Sequence, residues 1–263
     1  MSMKRRWDLS LVVTPLILLG LWFLAVDVFM VPGYVLPPPG SVLKALVTGY
    51  SATGELGRDL AFTSFITIGG FISGSVFGFI LGALLAEFKP LDRMTAPYII
   101  AFQALPKVAI APLLLVWLGF GLGSKIVLVT IMCFFPVLVN TQVGLQAAPP
   151  ELIELMRAFS ASRWLIFWKI KVPAAAGHLF AGLQISAALG LIAAVVAEFV
   201  SSSVGLGHAI SASAVNLDTG LMFAALLSLT ALGVAVNTAL RWAHNRVVFW
   251  ERRVIVTEAV SEQ

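Results

Sequence analysis

Six stretches of this chain are long and apolar enough to cross a lipid bilayer, and that excludes any fold that keeps them in water. A membrane-spanning helix needs about 20 apolar residues. Residues 9–31, 61–87, 94–119, 124–144, 174–200 and 219–242 each reach that length. Over 263 residues, 59% are hydrophobic and only 11% charged, with a mean hydropathy of +0.97. A soluble domain carries about 25% charged residues. The pattern predicts an all-α, polytopic membrane protein, because a helix satisfies its own backbone hydrogen bonds inside lipid. The net charge of +4 is therefore read for topology and not for nucleic-acid binding. One cysteine, Cys133, allows no intrachain disulfide and no cysteine-based metal site.

Lys4, Arg5 and Arg6 precede the first apolar run, as in a signal peptide. The run is too long for one, and it ends at a Val31-Pro32-Gly33 turn without a small-x-small cleavage pattern, so it is read as a retained span. With the N-terminus inside, Lys89, Arg93, Arg157, Arg163, Lys169, Lys171, Arg241, Arg246, Arg252 and Arg253 all fall on the inner side. Only Lys44, Arg58 and Lys125 fall in outer loops, and Lys107 lies within a span. The positive-inside rule then places both termini in the cytoplasm, with a cytoplasmic tail over 243–263. The outer loop, 32–60, carries the stiff Pro37-Pro38-Pro39. Ser41 is expected to cap a short amphipathic helix at the outer interface, with Val42, Leu43, Leu46 and Val47 on one side. The third span is the weakest, broken by Pro97, Pro106 and Pro112.

Several chemistries fail on spacing. GFGLGSKI (119–126) lacks the Gly-Lys-Ser/Thr ending of a phosphate loop and joins two spans, so it is no ATP site. His178, His208 and His244 have no metal-ligand spacing, and no metal site is expected. Neither Gly-x-Ser-x-Gly nor His-Glu-x-x-His occurs, which argues against an intramembrane enzyme. Gly70, Gly74, Gly78 and Gly82 line one helix face and allow close helix approach, either within the chain or between two copies. Polar residues inside spans are costly and mark candidate solute paths. Gln103, Lys107, Asn140 and Gln184 are the lining candidates, with Glu198 beside them as a gate or interfacial group. Lys107 follows Pro106 and either lines a water-filled path or snorkels towards the outer interface.

Residues 151–173, ELIELMRAFSASRWLIFWKIKVP, are charged and aromatic between two apolar spans. Pro150 suits the first turn of a helix. Glu151 and Glu154 complement its dipole, and Arg157 can pair with Glu154. Leu152, Leu155, Met156 and Phe159 form an apolar face. Ser160-Ala161-Ser162 breaks the run, and a second helix is expected to end before Pro173. This cytoplasmic knob over 150–172 either lies on the membrane with Trp164 and Trp168 at headgroup level or presents its apolar face to a soluble partner.

The spacing here resembles the cytoplasmic loop of permease subunits of bacterial ABC importers. That loop reads Glu-Ala-Ala, three residues, Gly, nine residues, Ile-x-Leu-Pro. Glu154, Ile170 and Pro173 match it. Leu155 and Met156 replace the alanines, Val172 the leucine, and Ser160 the glycine. Serine there requires either a turn that avoids positive φ or a compensating hydrogen bond. LPPPGSVLKAL, LPKVAIAPLLLVWLGFGLGSKI, FFPVLVNTQVGL and AEFVSSSVGLGHAI are similar to the nitrate/sulfonate/taurine branch, so the resemblance covers roughly 35–240.

The resemblance implies a type I ABC importer transmembrane domain in the bacterial inner membrane, with six transmembrane helices. It implies a second copy of the chain, two cytoplasmic ATPase subunits that bind ATP and Mg, and an extracytoplasmic solute-binding protein. The chain itself would hold no cofactor. Glu151, Glu154, Leu155, Met156, Arg157, Phe159, Ser160, Ile170 and Pro173 would form the coupling region that docks on the ATPase. The solute would be small and anionic. The alternative is a secondary transporter driven by an ion gradient. It would require paired broken helices in two repeated halves, and the sequence offers only one proline-broken span.

Overall fold

The computed structural model describes residues 3–250. Among them the chain forms eleven α-helices and no strands. They are α1 (Met3–Asp27), α2 (Pro39–Val47), α3 (Glu55–Glu87), α4 (Lys89–Ala104), α5 (Ala111–Leu118), α6 (Leu122–Gln146), α7 (Pro150–Ala158), α8 (Arg163–Ile166), α9 (Val172–Ser201), α10 (Leu206–Val215) and α11 (Thr219–Val247). Four helical stretches are long and apolar enough to span: α3, α6, Arg163–Ser201 and α11. The α4–α5 pair makes a fifth, bent by 83°, and α1 contributes the shorter apolar stretch Leu16–Asp27. The tail beyond Trp250, with Arg252 and Arg253, lies outside the described residues, while α11 runs as far as Val247.

The chain divides into two compact units. Among the described residues, the first comprises 3–62 and 203–230. Its core joins Val42, Leu56, Leu206, Ala209, Ile210, Ala224 and Ala225, with Trp22, Leu46 and Phe223 against it. Polar contacts tie its loops to its helices. Trp22 Nε1 donates to Pro37 O (3.0 Å), Thr219 Oγ1 to Gly33 O (2.7 Å), and Tyr50 OH to Ser228 Oγ (2.8 Å).

Two expectations change here. Helix α2 starts at Pro39 with Pro38 as its N-cap, because proline at the first helical position needs no hydrogen-bonded N–H. Ser41 instead donates its hydroxyl to Pro38 O at 2.7 Å. The expected apolar face also splits. Val42 is buried, and Leu43 and Val47 are exposed. Val42 is buried in a core shared with Leu56, Ala224, Ala225 and α10; α10 is a short helix between the fifth and sixth apolar stretches. It opens at Gly205, whose φ of 116° is one that residues with a Cβ rarely adopt. The amide of Gly205 donates to Asp59 Oδ1 (2.8 Å).

Among the described residues, the second unit comprises 63–202 and 231–250. Its centre is the pair α6 and α9. Their backbones approach closely at Gly144, Gly182 and Gly190: a Cβ at Gly182 would stand 2.8 Å from Asn140 Cβ, and one at Gly190 2.8 Å from Cys133 Sγ. Ser186 Oγ donates to Cys133 O (2.8 Å), and Cys133 Sγ donates back to Ser186 O (3.2 Å). Helix α3 lies against α6 along Gly70, Gly74, Gly78 and Gly82. A Cβ at Gly74 would meet Thr130 O at 2.6 Å, and one at Gly82 would meet Leu138 O at 2.6 Å. That glycine face is used inside the chain.

Candidate functional site

The break between α4 and α5 follows from its prolines. Leu105, the residue before Pro106, takes φ −64° and ψ 136°, the extended conformation that a following proline enforces. A 3-10 turn, Lys107–Ile110, follows, and Pro112 lies in the first turn of α5. In an unbroken helix Gln103 O would accept from the backbone N–H of Lys107. Here Lys107 Nζ takes that place, donating to Gln103 O at 3.1 Å. The ammonium also stands over the Phe135 ring, 5.2 Å from its centroid. Phe135 in turn stacks with Phe102 (6.3 Å).

The break opens a cavity of about 480 Å³ walled by the α4–α5 connection, α6 and α9. Its polar groups are Gln103, Lys107 and Asn140, and its apolar wall includes Met132, Phe135, Val139, Ile185 and Leu189. Three of the five expected path residues thus share one cavity. Asn140 Nδ2 donates to Pro136 O (2.8 Å), the carbonyl one turn earlier on the same helix. Gln184 is half-buried on α9 and is not among the lining residues.

Glu198 stands elsewhere. It is fully buried on α9 and accepts from Thr63 Oγ1 at 2.8 Å, and it is not among the residues lining the cavity. Lys125, expected in an outer loop, is helical. Lys125 lies in the first turn of α6 at 3% exposure. Its ammonium donates to Phe120 O (3.2 Å), Gly121 O (3.4 Å) and Ser201 O (3.0 Å). These carbonyls belong to the glycine turn before α6 and the end of α9, where a cation is favoured by the helix dipole.

Helix α7 buries none of its side chains. Leu152, Leu155 and Phe159 are all exposed, Phe159 to 77%. Glu151, Glu154 and Arg157 are exposed and Met156 half-buried. Glu154 and Arg157 form no ion pair among the described residues. Lys171 pairs with Glu87 (2.5 Å), joining the end of α3 to the turn before α9.

At the end of α7, Ser160 has φ 58°. Ser160 N donates to Arg157 O (2.8 Å) and Ala161 N to Met156 O (3.0 Å), the paired bonds of a Schellman motif. Ser162 then caps α8, its Oγ accepting from Leu165 N (3.2 Å). The expected helix end before Pro173 does not occur. A π-helical turn, Phe167–Lys171, leads straight into α9 with Pro173 in its first turn. In an α-helix the proline ring would meet the carbonyl four residues back, and the wider turn accommodates it. Ile170 lies in that turn, half-buried. Trp164, Phe167 and Trp168 pack together, with ring centroids 5.2–6.0 Å apart.

A broken helix beside a glycine-packed helix pair, with an amphipathic helix left uncovered, is the architecture of a type I ABC importer permease. One chain of the methionine ABC transporter MetNI, solved in an inward-facing conformation, superposes with a TM-score of 0.63 at 23% identity. The match covers 74% of this chain and 94% of that one. Residues 74–249 match the family described as binding-protein-dependent transport system inner membrane component, and the chain belongs to it. The riboflavin transport system permease RibX of Chloroflexus aurantiacus is 35% identical, over 95% of this chain and 94% of its own length. The taurine transport system permease TauC of Escherichia coli is 26% identical, over 96% and 95%. The chain is thus a multi-pass inner-membrane permease subunit of an ABC importer, in the branch that includes the taurine system. It is not itself an enzyme, since in such systems the ATPase is a separate subunit.

Proposed function

We propose that two copies of this chain form the route by which a small anionic solute, handed over by a solute-binding protein, crosses the inner membrane. Each copy supplies six spans with both termini in the cytoplasm. Two cytoplasmic ATPase subunits, holding ATP and Mg, dock on α7 and the turn at Ser160, around Glu151, Glu154, Leu155, Met156, Arg157 and Phe159. Their closure moves α7, and α9 carries the motion from Ile170 and Pro173 towards the cavity wall. Such rigid-body rearrangement switches which side of the membrane the route faces.

The observation that carries this reading is the cavity at the α4–α5 break, where Lys107 supplies the positive charge among apolar walls. Intramembrane cations facing a cavity mark solute and ion paths. Lys107→Met is expected to cut ATP-driven uptake in proteoliposomes at least about tenfold, a loss of about 1.4 kcal/mol of solute stabilisation. Assembly with the ATPase should be unaffected. Uptake at the wild-type rate would remove Lys107 from the route.

A further inference from the structure

The cavity wall also constrains the solute's chemical class, an inference that rests on the cavity being the route. Lys107 Nζ meets one carbonyl, Gln103 O at 3.1 Å, and one ring face, that of Phe135. An ammonium has three donors, so this arrangement leaves donor capacity for an acceptor entering the cavity. Among the described residues, Lys107 is also the sole cation in the lining. A single ammonium matches a single anionic group.

The remaining wall is apolar. Met132, Phe135 and Val139 come from α6, and Ile185 and Leu189 from α9. The volume, about 480 Å³, falls within the range of cavities that enclose small organic molecules. An inorganic anion or a short aliphatic sulfonate could reach Lys107 only by leaving most of that wall unfilled. It would give up hydration without gaining apolar contact in return. A solute that carries its charge at one end of an apolar body gains at both ends.

We infer that the cavity takes an organic monoanion with a ring-sized apolar body. The charged group rests on Lys107 and the body lies against Met132, Phe135, Val139, Ile185 and Leu189. Phe135 has a double part. Its face holds the Lys107 ammonium, and its ring forms part of the wall, so it determines specificity for body as well as charge.

The test is equilibrium binding to the full-length chain in lipid nanodiscs, with empty discs subtracted. The probes are 1-naphthalenesulfonate, methanesulfonate and the neutral 1-naphthalenemethanol. The naphthalene anion is expected to bind at least about tenfold more tightly than methanesulfonate, the scale on which pockets discriminate by apolar contact. Lys107→Met should remove that advantage while leaving naphthalenemethanol binding unchanged. Phe135→Leu should weaken both naphthalene probes, and Lys44→Met, outside the cavity, should weaken neither.

Equal binding of the two sulfonates would overturn the inference, as would naphthalenesulfonate binding indifferent to both Lys107→Met and Phe135→Leu. ATP-driven uptake by the assembled importer separates this inference from the route reading. Lys107-dependent binding with Lys107-independent uptake removes the route and keeps the solute preference. Lys107-dependent uptake with no apolar preference in binding removes the preference and keeps the route.

Discussion

Ser160 holds a backbone conformation that its side chain disfavours. Its φ of 58° costs a residue with a Cβ about 1–2 kcal/mol relative to glycine. The two Schellman bonds and the Ser162 cap hold the turn regardless. Ser160→Gly should therefore raise the thermal midpoint of the purified chain, by about 1 kcal/mol of stability, with the turn geometry kept. An unchanged or lowered midpoint in thermal unfolding would show that the serine hydroxyl offsets the strain. The Ser160-Ala161-Ser162 break placed this turn, and the spacing from Glu154 to Pro173 agreed with it. Its sign of φ was not legible, since the glycine that would have declared it is absent. Lys125 and Glu198 were illegible for another reason. A lone lysine after a glycine-rich stretch looks like a loop charge, and only folding brings the Ser201 carbonyl to it.

Among the elements, the prolines and glycines were the legible signals. Pro106 and Pro112 announced the break in the third span, though not its 83° bend, which depends on what the two halves pack against. The four-residue glycine spacing of α3 announced a close contact without naming its partner, and α6 is that partner. Gly69 and Gly74 make a matched pair for testing this. A Cβ at Gly69 meets nothing within 4 Å, whereas at Gly74 it meets a backbone carbonyl and a Cβ of α6. Neither of those atoms can swing aside. Gly74→Leu is expected to lose at least about 1–3 kcal/mol through overpacking and to give aggregated or degraded protein by fluorescence-detected size exclusion. Gly69→Leu should elute as the wild type. Similar profiles for the two would mean that α3 and α6 are not held by this contact. By contrast, α10 was invisible in the sequence. Its ten residues are too few to span and follow a serine run that reads as a loop.

Across the whole molecule, the apolar residues fall into those that build the fold and those that do not. Val42, Leu56 and Leu206 build one core, and α6 and α9 another. The apolar side of α7 builds neither, since no side chain of α7 is buried. Leu155→Asp combined with Phe159→Asp should therefore leave the thermal midpoint of the isolated permease within about 0.5 kcal/mol of wild type, as surface changes do. In the assembled importer the same pair would place carboxylates in the contact with the ATPase, where unpaired buried charge is costly. The expected outcome is loss of the ATPase subunits on affinity purification, or hydrolysis that proceeds without uptake. Two measurements decide it. Intact stability with failed coupling places the docking surface on α7. Full coupling in the double variant would move that surface elsewhere, and a collapse of the isolated chain would mean that α7 serves the fold.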